Sequence, residues 1–299
     1  MRAVPDAPPL LLAVPNVSEG RDEAAIGRIG AAFVARGAAR LLDTHSDPDH
    51  HRSVFTLAGR AGTLADALLD GAAQTLREVD LATPRGWHPH VGALDVVPVI
   101  HLHERARGAA AAEALVVADR LGAELELPVL LYGALGGGRT RAELRRGGPS
   151  RLAERLAAGE LRPDFGPGRP HPTAGVALVG ARPPLVAFNL ELAPPADVET
   201  ARRIAAAIRE GGEEGLPSLR AIGLRLDGRG GTAQVSCNVE DPFALTLGAV
   251  VEAVARHAPI AAVELVGLAP RAALADLPPD VPMPGFVPAR QILEEALRL

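Results

Sequence analysis

One succession of elements, met twice, constrains this chain more than any other feature of its sequence. Leu10-Leu11-Leu12-Ala13-Val14 is a short apolar run stopped by Pro15, the pattern of a buried strand. A helix is predicted from about Asp22, with Ile26, Ile29 and Phe33 on one face and Gly37 as its stop. Strands are predicted at Ala39 to Asp43 and at Arg52 to Ala58, the latter rich in β-formers. Thr63 and Asp66 read as a capping box ahead of a second helical stripe, Leu64, Leu68, Ala72, Leu76 and Val79. Ala93 to Leu102 returns as a strand. The order is β-α-β-β-α-β, the ferredoxin-like pattern.

The second half repeats it. Leu185 to Leu190 reads as a strand, and Asp197 as the cap of a helix whose stripe is Val198, Ala201, Ile204, Ala205 and Ile208. Strands at Leu219 to Leu226 and Thr232 to Val239 flank the hairpin loop Asp227-Gly228-Arg229-Gly230-Gly231. Asp241-Pro242 reads as a cap with proline at the first helical position, opening a buried stripe of Phe243, Leu247, Val250, Val251 and Val254. Ala261 to Val266 closes the sheet. Little residue identity links the halves, so the repeat is one of element order. The expected fold class is therefore α+β, with two ferredoxin-like α/β subdomains around a cleft. The expected boundaries are residues 1–182, 183–276 and a Pro-rich tail with a short helix over 277–299, with Arg182-Pro183-Pro184 as the hinge.

Extra material lies between the halves: a helix over Arg105 to Leu121, a strand over Pro128 to Tyr132, then a loop-rich, arginine-rich stretch from Gly133 to Pro172. Gly136-Gly137-Gly138-Arg139 lacks the order of a dinucleotide-binding loop and reads as a flexible loop. The arginines at 139, 141, 145, 146, 151 and 155 are either a basic rim for an anionic substrate or the solvated face of a charge-mixed helix with Glu143, Glu154 and Glu160. In the strand from Thr232, alternation puts Ala233, Val235, Cys237 and Val239 on a core face. Gln234, Ser236 and Asn238 fall on the other, either lining the cleft or simply solvated.

Composition removes several function classes. All 31 basic residues are arginine, so neither Schiff-base chemistry on a protein lysine nor a P-loop lysine is available. One cysteine, Cys237, excludes an internal disulfide framework and a paired-cysteine zinc site. A net charge of −5 and 3% aromatic residues argue against nucleic acid as a partner. No apolar run reaches the roughly 18 residues of a membrane span, and Met1 to Leu10 is a poor signal peptide, so a cytoplasmic protein is expected.

Histidine is concentrated where loops meet strands. Seven of the nine lie between His45 and His103. Asp43-Thr44-His45-Ser46-Asp47-Pro48-Asp49-His50-His51-Arg52 reads as a loop between two strands; His88-Pro89-His90 precedes the strand that carries Asp95. Imidazole takes and gives a proton near neutral pH without a large pKa shift, so the two loops are candidates for one acid–base site. The competing readings are exposed loop histidines, or a metal site in which His101 and His103 share a strand face and His50, His51, Asp47 and Asp49 add ligands.

At these residues the chain resembles the glutamate formimidoyltransferase family. The resemblance rests on Val14-Pro15-Asn16-Val17-Ser18-Glu19-Gly20-Arg21, on Asp47-Pro48-Asp49-His50-His51-Arg52-Ser53-Val54, and on His88-Pro89-His90-Val91-Gly92-Ala93-Leu94-Asp95-Val96-Val97-Pro98. Phe165-Gly166-Pro167, Gly175, Ala187-Phe188-Asn189, Ala233-Gln234-Val235-Ser236-Cys237-Asn238 and Glu264-Leu265-Val266-Gly267-Leu268 look like the family's later pieces. The resemblance runs from about residue 10 to 275. It implies transfer of a formimino group between N-formimino-L-glutamate and tetrahydrofolate as co-substrate, with no metal, in a homodimer. It also implies that His88 is the general acid and base and that Asn16 lies near the same site; beside them Asp43, His45, Arg52, Trp87 and His90 are expected to line the site, with Ser236 and Asn238 binding from the second half. The chain departs from the family's pattern close to the chemistry. Trp87 and His90 stand where the family usually has glutamate and arginine, Pro84 where it has a histidine, and His45 where the animal enzymes have an aspartate. Two other readings remain open at this level: a metal-assisted hydrolase of a formimino or amide substrate, and a non-catalytic folate-binding relative.

Overall fold

The computed structural model describes residues 7–82 and 90–298. The chain divides between Pro183 and Pro184 into two compact units.

In the first unit, β1 (Leu10–Ala13) and β2 (Asn16–Val17) are one strand interrupted at Val14-Pro15. Then come α1 (Glu23–Val34), β3 (Ala39–Asp47), β4 (Arg52–Arg60), α2 (Leu64–Glu78) and β5 (Leu94–His101). The β3, β4, β1/β2 and β5 pairings are all antiparallel, and β3 lies outermost, so this part is the expected β-α-β-β-α-β sheet. The sheet then continues. After α3 (Arg107–Glu124), β6 (Val129–Leu131), α4 (Arg141–Arg145) and α5 (Gly148–Ala157), β7 (Ala177–Arg182) inserts between β5 and β6, parallel to both. One face of the sheet carries the main core, with Ile26, Ile29 and Phe33 of α1, Leu64 and Leu68 of α2, and Val117 and Leu121 of α3. The β5–β7–β6 end of the other face carries a smaller one, where Val96, Leu130 and Leu178 meet Leu144, Leu152 and Leu156 of α4 and α5.

The second unit comprises β8 (Val186–Leu192), α6 (Val198–Ile208), β9 (Leu219–Leu226), β10 (Thr232–Val239), α7 (Leu247–Ala255) and β11 (Ile260–Val266). Its strand order, β11-β8-β10-β9, is antiparallel throughout and is the ferredoxin-like arrangement. The helices pack on the face of Val235, Cys237, Val239, Phe188 and Leu190. Beyond β11, Leu277, Val281, Met283 and Phe286 pack against this same core, and α8 (Pro288–Gln291) and α9 (Leu293–Leu297) follow.

Several local expectations are corrected. Strand β3 runs beyond its expected end at Asp43 to Asp47, so His45 belongs to a strand and the connection to β4 is only residues 48–51. His103 lies past the end of β5 and is exposed, so it does not share a strand face with His101. Thr63 makes no side-chain cap; its hydroxyl donates to Ala38 and Arg60 carbonyls. The start of α2 is capped from α3, by buried Glu113, which accepts from Gly62 N–H (2.5 Å) and Ala65 N–H (2.8 Å). Helix α7 begins at Leu247 with Thr246 as its cap; Asp241-Pro242 is an earlier turn, and Phe243 is 64% exposed rather than part of the buried stripe. Asp197 caps α6 as expected, accepting from Thr200 N–H.

Candidate active site

Register decides which side chains can work together, because residues directly opposite in a sheet point to the same face. Asn16 pairs with both Val54 and Val96, and His45 also pairs with Val54. Asp43 pairs with Thr56, and Asp47 with Arg52. By alternation Arg52, Val54 and Thr56 of β4 share one face. The sheet therefore brings Asn16, Asp43, His45 and Arg52 to a single face, the one that also bears Val96 and the smaller core. Asp43 is buried on it, whereas Asn16, His45 and Arg52 are half-buried.

Polar contacts fix these groups in place. The Asn16 amide donates to the Val14 carbonyl (2.7 Å), which leaves its oxygen to accept from Arg52 Nε (2.9 Å). Arg52 Nη1 donates to Asp95 Oδ2 (2.8 Å), and Arg145 Nη2 from α4 donates to that same oxygen. The other oxygen of Asp95 accepts from Val91 N–H (2.8 Å). Asp95 is completely buried. Burial opposes its ionisation, but the Arg145 and Arg52 guanidiniums and the Val91 N–H outweigh that and hold the carboxyl well below the usual carboxylate range. Arg52 is brought down to about 10, first by burial and then by its neighbour Arg145, with Asp95 acting the other way.

The loop between β3 and β4 is held from the opening motif. Gly20 packs so closely that a Cβ would come within 2.2 Å of the Asp47 carbonyl oxygen, so the glycine of Val17-Ser18-Glu19-Gly20 is sterically required. Gly20 N–H donates to His51 Nδ1 (3.2 Å), and Glu19 lies 3.5 Å from the same nitrogen. With Nδ1 accepting, a neutral His51 carries its proton on Nε2. His51 and His50 are buried, and Asp47 accepts from His50 N–H (2.7 Å), which makes these two histidines part of the loop's framework.

Of the remaining expected site residues, His88 and Trp87 lie outside the described residues. His90 is half-buried and lines a small pocket of about 130 Å³ with Ser18, Glu19, His51 and Asp80; Asn16, Asp43, His45 and Arg52 are not among its described lining. In the second unit Ser236 pairs with Asn189 and Asn238 with Ala187, on the face opposite the helices. Both are half-buried, and beside them Gln234 and Asn189 are buried, with Asn189 donating to Glu264 (3.1 Å). Among the described residues no three His, Cys, Asp or Glu side chains are gathered as a ligand set.

Sequence reasoning passed over two members of the first-unit group. Asp95 was visible only as the residue following a histidine motif, yet an acid inside Leu94-Asp95-Val96-Val97 must find a partner if that strand is buried. Arg145 stood in an arginine-rich stretch with nothing to separate it from its neighbours. The capping box of Thr140 and Glu143 that starts α4 was the available signal for the helix that delivers it.

Comparison with known proteins bears on what such a group does. Residues 10–182 match the formiminotransferase domain, N-terminal subdomain, and residues 187–278 match the formiminotransferase domain. The chain is 35% identical over 272 residues to glutamate formimidoyltransferase of Streptococcus pyogenes serotype M1, covering 88% of this chain and 90% of that one. It is 31% identical over 282 residues to glutamate formimidoyltransferase of Thermoplasma acidophilum, covering 90% of each. It is 36% identical over 280 residues to formimidoyltransferase-cyclodeaminase of Sus scrofa, covering 89% of this chain and 51% of that longer protein.

Proposed function

The chain belongs to the formiminotransferase family, and from that premise we propose that it moves a formimino group between N-formimino-L-glutamate and tetrahydrofolate. The observation that carries this reading is the convergence of Asn16, Asp43, His45 and Arg52 on one sheet face, from three strands separated in sequence. A secondary amine nitrogen attacks the amidine carbon, a tetrahedral species forms, and the other amine leaves. One proton comes off the attacking nitrogen and one reaches the leaving nitrogen, and a single imidazole serves both steps in turn. We assign that role to His88, through its position in the family's His-Pro motif. Asn16 and Arg52 are held rigidly enough to orient a substrate, since each is fixed by the other, Asn16 also by the Val14 carbonyl and Arg52 by buried Asp95. Asp43 and His45 supply a carboxylate and an imidazole for the cationic amidine and its leaving amine. Ser236 and Asn238 offer hydroxyl and amide groups from the second sheet's polar face, and Trp87 and His90 flank the general acid–base in sequence. Tetrahydrofolate is the co-substrate, no metal takes part, and the working form is a cytoplasmic homodimer.

The test is direct. Purified protein given N-formimino-L-glutamate and tetrahydrofolate should form the formiminated folate. His88→Ala should keep the wild-type circular dichroism spectrum and transfer at least about 10²-fold more slowly, the usual cost of losing a general acid–base. Wild-type turnover in that variant would remove His88 from the mechanism, and no transfer by the wild type would remove the reaction.

A further inference from the structure

Two guanidiniums converge on Asp95. Arg52 and Arg145 both spend a guanidinium nitrogen on one oxygen of this single carboxylate. Their side chains are only 11% and 12% exposed, and Asp95 is not exposed at all. Two guanidiniums thus meet on one carboxylate oxygen nearly out of water, where their mutual repulsion is poorly screened. Arg141, on the same face of α4 one turn before Arg145, adds its field at Arg52. Asp47, the carboxylate opposite Arg52 in register, has one oxygen engaged by His50 N–H.

A second observation concerns hydrogen bonding rather than charge. Nε of Arg145 is buried without an acceptor. Close by, the Tyr132 ring lies under Arg141 (5.7 Å from guanidinium carbon to ring centre), and its hydroxyl is likewise buried without a partner. Buried donors are ordinarily satisfied, and an orphaned one marks either strain or an absent ligand. Arg145 is therefore positioned by one bond to Asp95 while its remaining donors are uncommitted.

We propose that Arg145, held by Asp95 beside Arg52, is the receptor for a substrate carboxylate. The proposal rests on the formimino-transfer reading and deepens it, because each co-substrate ends in a glutamyl group. An arriving carboxylate accepts from the unengaged side of the Arg145 fork, where Nε has no acceptor, and offsets the repulsion between the two guanidiniums; this is the geometry guanidinium recognises best. The same chemistry is presented by the glutamate of the formimino donor and by the glutamyl tail of the folate. Asp95 touches neither; it is a positioning residue that keeps two guanidiniums side by side against their repulsion.

The probe is glutarate, a dicarboxylate without the reacting group, titrated calorimetrically into the full chain, with neutral glutaramide as the reference. Wild-type protein should bind glutarate and not glutaramide. Arg145→Gln should weaken glutarate by about ten- to hundredfold, the range for a lost charge-assisted contact. Arg145→Lys, which keeps the charge and loses the fork, should fall between, and it carries the test if the glutamine variant does not fold. Arg151→Gln, an exposed arginine paired with Glu154, should bind as the wild type does. Steady-state kinetics of Arg145→Lys then separates the sources: a raised KM for N-formimino-L-glutamate assigns the carboxylate to the donor, and a raised KM for tetrahydrofolate assigns it to the folate tail. Wild-type glutarate affinity in both Arg145 variants, no glutarate binding by the wild type, or both KM values unchanged would overturn the proposal. Glutarate binding does not depend on turnover, so a protein that binds the probe and transfers nothing would refute the reaction alone.

Discussion

Asp95→Asn is the sharpest single perturbation of this protein. The substitution keeps shape and removes a charge that lies entirely out of water and is shared by two guanidiniums. Breaking a buried ion pair from one side costs about 3–5 kcal/mol, because the surviving charge is left uncompensated. Here two survive, and burial and mutual repulsion already bring Arg52 down to about 10. The new amide also turns either an NH₂ group toward Val91 N–H or one toward the arginines, so at least one existing contact becomes donor against donor. At about 2–4 °C per kcal/mol for a unit of this size, the first unit should melt about 6–20 °C lower. The loss should also depend on pH. The native carboxyl titrates below its unfolded value of about 3.9, so its stabilisation is present above that pH and is lost as pH falls through the native value. Urea unfolding from pH 7 to pH 3 should therefore show a shallower acid limb in the variant than in the wild type. Combining Asp95→Asn with Arg145→Gln should cost less than the two single changes added, by at least about 1 kcal/mol, since the second change removes one stranded charge. A single-variant loss under about 1 kcal/mol, or strict additivity in the double variant, would show that the cluster is not the coupled unit described.

Two further predictions concern the frame around that cluster. Glu113→Ala strands the buried Ala65 N–H at the start of α2, at about 1–3 kcal/mol for a buried unmet donor, and leaves Gly62 N–H to water; thermal unfolding should show it as the largest effect of any single glutamate-to-alanine change in α3. Burial pushes the Cys237 thiol up to about 12, so iodoacetamide at pH 8 should leave it unmodified in the folded protein and label it as the second unit unfolds in urea; prompt labelling without denaturant would contradict the packing of β10.

Element order was legible because it depends on short-range patterns. The stripes Ile26, Ile29, Phe33 and Leu64, Leu68, Ala72 each report a helix face directly, and both halves of the chain show the expected sheets. What escaped the sequence depended on partners far along the chain. Strand β7 is six residues, Ala177–Arg182, broken by Gly180 and followed by proline. Its reason to be a strand is its parallel neighbours β5 and β6, and its glycine is needed because the Tyr132 ring would lie 2.8 Å from a Cβ there. The cap of α2 was misassigned for a similar cause. Thr63 has the local credentials, but Glu113, fifty residues later, takes the N–H groups first. Phe243 followed the helical period but lies in the turn made by Asp241, outside the packed stripe. The candidate site divides in the same way. Alternation along β10 puts Ser236 and Asn238 opposite the core residues, as found, whereas the sequence pattern ends β3 at Asp43 and leaves His45 outside it, because the Asp-rich stretch that follows is a weak strand former.

Strand placement of position 45 has a physical consequence for the candidate site. A histidine in a loop is free to move and is easily satisfied by water, but a histidine at position 45 of a paired strand is held at a fixed height above the sheet, in line with Val54, Asn16 and Val96. The one-residue register shift between Leu41 and Asp43 matters here. Without it, alternation from Leu41, which lies opposite Leu57 on the main-core side, would send Asp43 and His45 toward α1 and bring Thr44 and Ser46 to the site face. The irregularity in β3 is thus what allows a strand that begins on the core side to end on the candidate-site face. It also places His45 on the backbone of a paired strand. His45 and the Arg52–Asp95–Arg145 cluster share one sheet face, so a change of side chain at position 45 alters the chemistry of that face without altering the frame that presents it.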